Sequence, residues 1–377
     1  MKCRFLFLLA VIAALVSCKK DDIPGGAPEP ETPEDMTWRL DKNGTANCYI
    51  VSEDGVYRFP AVKGDGTALG GTPETAEVLW RSYGDFFYPG SYDIVNTCAL
   101  EVTDRGPMIK IIIPMPLKNG NFLVAAKDAD GKILWSWHIW VCGGFDPEST
   151  AQEYYGGAGK VMDRNLGALS ASPGDDKALG LLYQWGRKDP FLGPALKNSN
   201  NQAFSDTFWP TPVACGDGID DDYAREHPMT FITSSVDANH GDWNHNSRDI
   251  SLRWLQTKTV NDPCPAGWKV FEGRDKSPWS VAYNSLSEPK PTVVYDASNR
   301  GYNFSGVFGD AETIWYPSAG DINYSTGKLE GVGSTGCIYT TRTADYKAGY
   351  VGFDSYTWYT TLEDCRGYGL SIRCVKE

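Results

Sequence analysis

A chain of 377 residues is too long for one ordinary domain and comfortable for two. Its formal net charge of −13 argues against nucleic acid as a partner, because phosphate binding wants a basic footprint. Aromatic residues make up 13% of the chain and 40 positions are Gly, which suits short strands joined by many turns. Only four His and no Cys-x-x-Cys occur, so a zinc site is not expected.

Lys2 and Arg4 precede an unbroken apolar run from Phe5 to Val16. That run is too short to span a bilayer and has the length of a signal-peptide core. It ends in Leu15-Val16-Ser17-Cys18, which resembles the bacterial lipobox, whose cysteine is acylated and becomes the first mature residue. Acyl chains add about 0.8 kcal/mol per buried CH2, so two or three together anchor a protein stably. Lys19-Lys20-Asp21-Asp22 resembles the surface-export signal of Bacteroidetes lipoproteins. The expectation is a signal peptide over 1–17 and lipid on Cys18, the only anchor, placing the protein on the outer membrane and facing outward. Residues 18–36, rich in Pro and Glu, read as a tether that cannot bury a core.

Residues 37–141 read as an all-β sandwich resembling the immunoglobulin type. Asp54-Gly55 sits between Cys48–Val51 and Val56–Phe59, and Asp130-Gly131 between Phe122–Ala125 and Ile133–Trp137. Asp-Gly between apolar runs is a hairpin signal. Further strands are expected around Glu77–Trp80, Leu100–Val102 and Ile109–Ile113. In the last hairpin strand Trp135, Trp137 and Ile139 share one face, and Leu134, Ser136, His138 and Trp140 the other. His138 reads as a satisfied strand histidine rather than a ligand. From 142 the texture changes: Gly, Asn, Asp and Tyr rise, and 170–260 shows little periodicity, which indicates long ordered loops over a small sheet.

Eight cysteines remain once Cys3 and Cys18 are set aside, and their spacing alone admits 105 pairings. The pairing of Cys48, Cys98, Cys142 and Cys215 stays open. Asp217, Asp220, Asp221 and Asp222 form an acidic loop that could offer calcium several oxygens, although a solvated loop is the plainer reading. Asp242-Trp243-Asn244 is loosely similar to the calcium-ligating Trp-Asn-Asp of C-type lectins, in a different order. No other cofactor is expected. No Gly-x-Ser-x-Gly elbow, P-loop or His-Glu-x-x-His occurs.

Four segments in order carry a family resemblance: Val161-Met162-Asp163-Arg164-Asn165-Leu166-Gly167-Ala168; Gly180-Leu181-Leu182-Tyr183-Gln184-Trp185-Gly186-Arg187-Lys188-Asp189-Pro190-Phe191; Asp262-Pro263-Cys264-Pro265-Ala266-Gly267-Trp268-Lys269-Val270; and Tyr368-Gly369-Leu370-Ser371-Ile372-Arg373-Cys374-Val375. Together they resemble the major paralogous domain of Fibrobacter succinogenes, over 142–377. The resemblance implies a C-type-lectin-like fold, also similar to that of formylglycine-generating enzymes, and a surface binding or adhesive role beside fimbrial subunits. It implies a disulfide between Cys264 and Cys374, with Cys337 and Cys365 as a second pair. Phe271-Glu272-Gly273-Arg274 departs from the family's Pro and helix start after Gly-Trp-x-Val, which puts a helix there in question.

Aromatics crowd the last quarter, and the expected ligand surface lies on loops between 310 and 360. Its candidate residues are Trp315, Tyr316, Tyr324, Tyr356, Trp358 and Tyr359, with Trp315 and Trp358 preferred. Binding of a glycan or surface protein without turnover is expected. An enzyme on the same fold (a formylglycine-generating type or a glycan hydrolase) and a purely structural pilus subunit are the alternatives.

Overall fold

The computed structural model describes residues 39–83, 86–88, 97–194, 212–309 and 313–377. The signal peptide, Cys18 and the tether lie outside the described residues. The protein is mainly β, with 38% strand and 10% helix.

The first eight strands are β1 (Cys48–Val51), β2 (Gly55–Pro60), β3 (Thr75–Tyr83), β4 (Phe86–Tyr88), β5 (Thr97–Thr103), β6 (Gly106–Ile113), β7 (Gly120–Lys127) and β8 (Ile133–Val141). They form a five-stranded sheet ordered β1-β8-β7-β3-β4 and a three-stranded sheet ordered β2-β6-β5. The two face each other across one core. Phe59, Ile109 and Ile111 of the smaller sheet meet Phe122, Val124, Trp137 and Ile139 of the larger.

The Asp130-Gly131 hairpin forms as the sequence predicts: β7 and β8 pair antiparallel, and Gly131 takes φ 80° in the turn. The Asp54-Gly55 hairpin does not. β1 runs parallel to β8, with Cys48 opposite His138, while β2 pairs antiparallel with β6. The composition of the two strands explains the split. Cys48-Tyr49-Ile50-Val51 is apolar throughout and suits a sheet covered on both faces. Val56-Tyr57-Arg58-Phe59 alternates and suits a sheet with one wet face. The turn therefore passes the chain from one sheet to the other.

The remaining strands are β9 (Gln152–Tyr154), β10 (Gly159–Val161), β11 (Leu182–Gln184), β12 (Val213–Ala214), β13 (Ile232–Thr233), β14 (Trp268–Val270), β15 (Val293–Asp296), β16 (Gly301–Phe304), β17 (Ile314–Pro317), β18 (Asp321–Ile322), β19 (Leu329–Glu330), β20 (Gly336–Ala344), β21 (Lys347–Phe353), β22 (Trp358–Cys365), β23 (Gly369–Ser371) and β24 (Cys374–Lys376). The helices are short: α1 (Pro147–Thr150), α2 (Asp221–Glu226), α3 (Val236–Asn239) and α4 (Pro278–Asn284). A four-stranded sheet runs β14-β24-β10-β9. A larger one runs β19-β18-β23-β20-β21-β22, with β11 on β23, and a three-stranded sheet is β15-β16-β17. The helix in question after Val270 is delayed: a single 3-10 turn over Arg274–Lys276 precedes α4.

The chain from Trp38 to Glu377 folds as one compact unit. The expected boundary at 141/142 falls inside a shared core, where Cys48, Trp80, Leu123 and Trp140 pack with Met162, Tyr183, Trp185, Trp254 and Trp268. Strands β1, β7 and β8 are thus buried on both faces. The alternation in β8 assigns Trp135, Trp137 and Ile139 to the inner face and Trp140 to the outer, as expected. Leu134 is the exception and joins the inner core. The register of β7 and β8 shifts between Ala126 and Lys127, beside Leu134's end of the strand, and a bulge of this kind re-aims side chains.

Several polar groups on the outer face reach across the seam. Ser136 donates to Asp189 at 2.6 Å, and Lys188 Nζ donates to the Ser136 carbonyl at 3.0 Å and to Asp189 at 2.7 Å. Asn121 Nδ2 donates to the Gly167 carbonyl, and Trp140 Nε1 to that of Ala168. His138 donates from Nε2 to Asn121 Oδ1 at 2.8 Å. Burial pushes its pKa down to about 3, so it is a neutral strand histidine.

Cys264 and Cys374 are disulfide-bonded, with Cα atoms 6.0 Å apart. The bond ties the loop before β14 to β24, its own sheet neighbour. Cys337 and Cys365 remain thiols. They lie on β20 and β22, which are separated by β21, so two inter-strand spacings of about 4.8 Å intervene, beyond the roughly 7 Å Cα limit for a disulfide. The 110-residue separation of the formed bond gives a clear expectation. Replacing both Cys264 and Cys374 with Ala lowers unfolding free energy by up to about 4–5 kcal/mol in the chain-entropy account, measured by denaturant titration. A loss under about 1 kcal/mol would show the unfolded chain is not what the bond restrains.

Candidate functional site

The aromatic surface is built around α4. Ser277 caps the helix by accepting the Ser280 N–H at 3.2 Å, and Pro278 opens it, where a missing N–H costs nothing. Trp279 and Tyr283 stand four residues apart and so share the region of one helix face. Trp279 is fully buried. It stacks on Phe304 at 5.6 Å and meets Tyr316 edge-on at 4.8 Å. Tyr283 is 40% exposed and lies edge-on to half-buried Trp358 at 5.2 Å. Lys290 Nζ sits 5.0 Å from the Tyr283 ring centre, a cation on a ring face. On the far flank, the Tyr155–Gly157 turn abuts α4: a Cβ on Gly156 would lie 2.9 Å from the Val281 carbonyl. Tyr155 there packs on Phe308, which is 44% exposed, at 4.6 Å. Leu286, 96% exposed, follows the helix end. The result is a ridge of ring faces and one aliphatic side chain along α4.

The sequence-predicted residues divide. Trp315 is only 5% exposed and Tyr316 is fully buried, its hydroxyl bonded to that of Tyr154, so neither ring forms a surface platform. Both lie on β17, a strand buried at every position, not on a loop. Tyr324 is half-buried against Tyr368 at 4.8 Å. Trp358 joins the ridge. Tyr356, 93% exposed, projects from the turn between β21 and β22. Tyr359 is exposed, but as the next residue of β22 it points to the opposite face from Trp358. Sequence reasoning missed Tyr283, Leu286 and Phe308, which lie outside 310–360. The Ser277-Pro278 start with Trp279 and Tyr283 at i and i+4 was the available signal.

The acidic motifs are engaged in structure. Asp220 caps α2 by accepting the Tyr223 N–H, Asp222 pairs with Arg225, and Asp217 with His245. Asp221 accepts from Asn244 Nδ2 at 2.8 Å. Asp242 is fully buried between Arg253 at 2.8 Å and Arg366 at 3.1 Å.

One carboxyl stands apart electrostatically. Burial, with Glu330 directly opposite on β19 and Asp364 beyond, pushes Asp321 up to about 6 from 3.8. The unfolded chain ionises first as pH rises, so this group's contribution is present below about pH 4 and lost through pH 6. Asp321→Asn therefore stabilises the fold by on the order of 1–2 kcal/mol at pH 7.5 and by almost nothing at pH 4. Thermal melts at the two pH values check it, and an equal gain at both would contradict the assignment.

No family model, curated protein or solved structure matches this chain.

Proposed function

We propose that this chain is a lipid-anchored surface protein that binds a glycan or protein ligand without turnover. The observation that carries the reading is the exposed aromatic ridge along α4, in which Tyr283 lies on half-buried Trp358, Phe308 packs on Tyr155 at the far flank and Leu286 follows the helix end. Ring faces give contact area with little conformational entropy to lose, and they accept both sugar C–H faces and apolar protein groups. In this reading the first sheets form an immunoglobulin-like stalk fused to a C-type-lectin-like head of the major-paralogous kind. Cys18 carries the lipid, the segment to 36 is the tether, and the protein stands beside fimbrial subunits.

The test uses the full exported chain on a glycan array and on surface-protein extracts. Tyr283→Ala combined with Leu286→Ala weakens binding at least tenfold, about 1.4 kcal/mol, with a melting temperature within about 2 °C of the parent. Trp358→Ala weakens binding and also destabilises, because half of that ring is packed. Parent-like binding by the double variant would end the ridge reading. Separately, Cys18→Ala abolishes palmitate labelling and releases the protein from membranes, and labelling that persists would place the lipid elsewhere.

A further inference from the structure

A second site lies on the other side of the small sheet from α4. Tyr316 faces Trp279, so its neighbour Trp315 projects from the opposite face of β17. There a cavity of about 30 Å³ opens between the loop at Gly174–Leu179, the Asn299-Arg300 turn, the end of β17 and the Val332-Gly333 turn. Trp315 and Ser318 both line it. Trp315 Nε1 and Ser318 Oγ are buried, yet neither has a hydrogen-bond partner among the described residues. More than nine in ten buried polar groups are paired, and leaving one unpaired is costly. Several other unpaired buried nitrogens here belong to arginines lying over rings: Arg253 on Trp243 at 4.9 Å, Arg366 on Trp185 at 5.0 Å, Arg373 on Tyr316 at 3.9 Å. Trp315 and Ser318 have a cavity beside them instead.

The rim carries a second cost. Arg300 is a non-glycine residue at φ 56°, a strained left-handed conformation that favours glycine. Its exposed guanidinium has no ion pair or hydrogen bond among the described residues. Next to it Gly301 lets the indole lie flat on the strand: a Cβ there would meet Trp315 Cζ2 at 2.4 Å. Asp175 and Asp176 complete the rim as acceptors, and Leu179, Pro317 and Val332 supply an apolar wall.

We infer that this pocket binds a neutral, hydroxyl-rich ligand, a sugar residue whose hydroxymethyl arm enters while the ring stays at the mouth. Two carboxylates at the rim repel an anion, and the guanidinium between the walls repels a cation. A metal ion wants six to eight oxygens, more than this set offers. A hydroxyl both donates and accepts, so it satisfies the Trp315 N–H and the Ser318 hydroxyl together, with Asp176 and Arg300 left for ring hydroxyls. The cavity holds a group of one or two heavy atoms, not a ring. The inference does not rest on the α4 ridge.

The probes are the methyl glycosides of glucose, galactose, mannose and N-acetylglucosamine, titrated into the full chain by calorimetry and saturation-transfer NMR. At least one binds the parent in the millimolar range or tighter. Ser318→Ala and Arg300→Gly each weaken it tenfold or more while the melting temperature holds or rises, since each removes an unfavourable feature of the free fold. Tyr283→Ala leaves this binding unchanged. The proposal is overturned if no glycoside binds, if Ser318→Ala and Arg300→Gly bind like the parent, if Tyr283→Ala abolishes the binding, or if methyl glucuronide binds more tightly than every neutral glycoside.

Discussion

The structure depends on strands with no wet face. Once β1, β8 and β7 are covered on one side by β2-β6-β5 and on the other by the C-terminal sheets, each polar side chain buried there needs an internal partner. Asn47 shows the consequence. Its Oδ1 accepts the Trp135 indole N–H at 3.0 Å, and its Nδ2 donates to the carbonyls of Val260 and Asp262 at 2.7 and 2.8 Å. One amide therefore joins both sides of the sheet. Lys188 and Asp189 do the same with charge, each about 3% exposed, and burial pushes the lysine down to about 8 despite its partner. Such a pair adds little net stability against an apolar replacement, but removing one member strands the other at a cost of roughly 3–5 kcal/mol. Through Ser136 the pair ties β8 to the segment after β11.

The segments that carry the family resemblance are used up in this way. Arg187 lies 3% exposed beneath α2, and its guanidinium donates to the carbonyls of Thr230, Ala224 and His227 and to Gln184 Oε1. A cation there also suits the negative end of the helix. Arg373 bonds Asn165 and the Trp315 carbonyl, clamping the chain's last strands to the first segment of the head. Trp185 donates to the Thr340 carbonyl at 2.9 Å and receives Arg253 and Arg366 on its ring, while Asp242 bridges both guanidiniums. Side chains held by several fixed partners have no freedom left for a ligand.

This partition explains what could be read from the sequence. The alternation from Trp135 to Trp140 shows directly which residues face which side, because a strand's period is fixed by its own backbone, and it fails only at Leu134, where the bulge interrupts that period. The β7–β8 hairpin was legible for the same reason: its turn and its pairing are local. The Asp54-Gly55 turn was equally plain, but the partner of β1 is decided by burial on both faces, a property of the whole molecule. Trp315 was misplaced on similar grounds. It belongs to a stretch, 310–360, in which Trp and Tyr are interleaved with Gly and Asp as in a binding loop, and only the pairing of β16 with β17 places it in a sheet. The α4 ridge was hidden because its parts are distant in sequence, with Tyr155, Tyr283, Phe308 and Trp358 meeting through the helix rather than along the chain.

Where the unspent surface lies then follows from packing. The regular elements after β8 are short, so the core there is assembled from large side chains bridging loops: Trp185, Trp243, Trp254, Trp268 and Trp279 are all among its fully buried residues. A ring of that size packs densely on one face only if its neighbours are rigid, and here those neighbours are other rings and arginine planes. The aromatic network therefore extends outward from Trp279 through Trp358 to Tyr283 without a break. The outermost rings inherit fixed orientations from the core, and that is the property a recognition surface needs: its contact area is ordered before the ligand arrives, so little entropy is lost on binding.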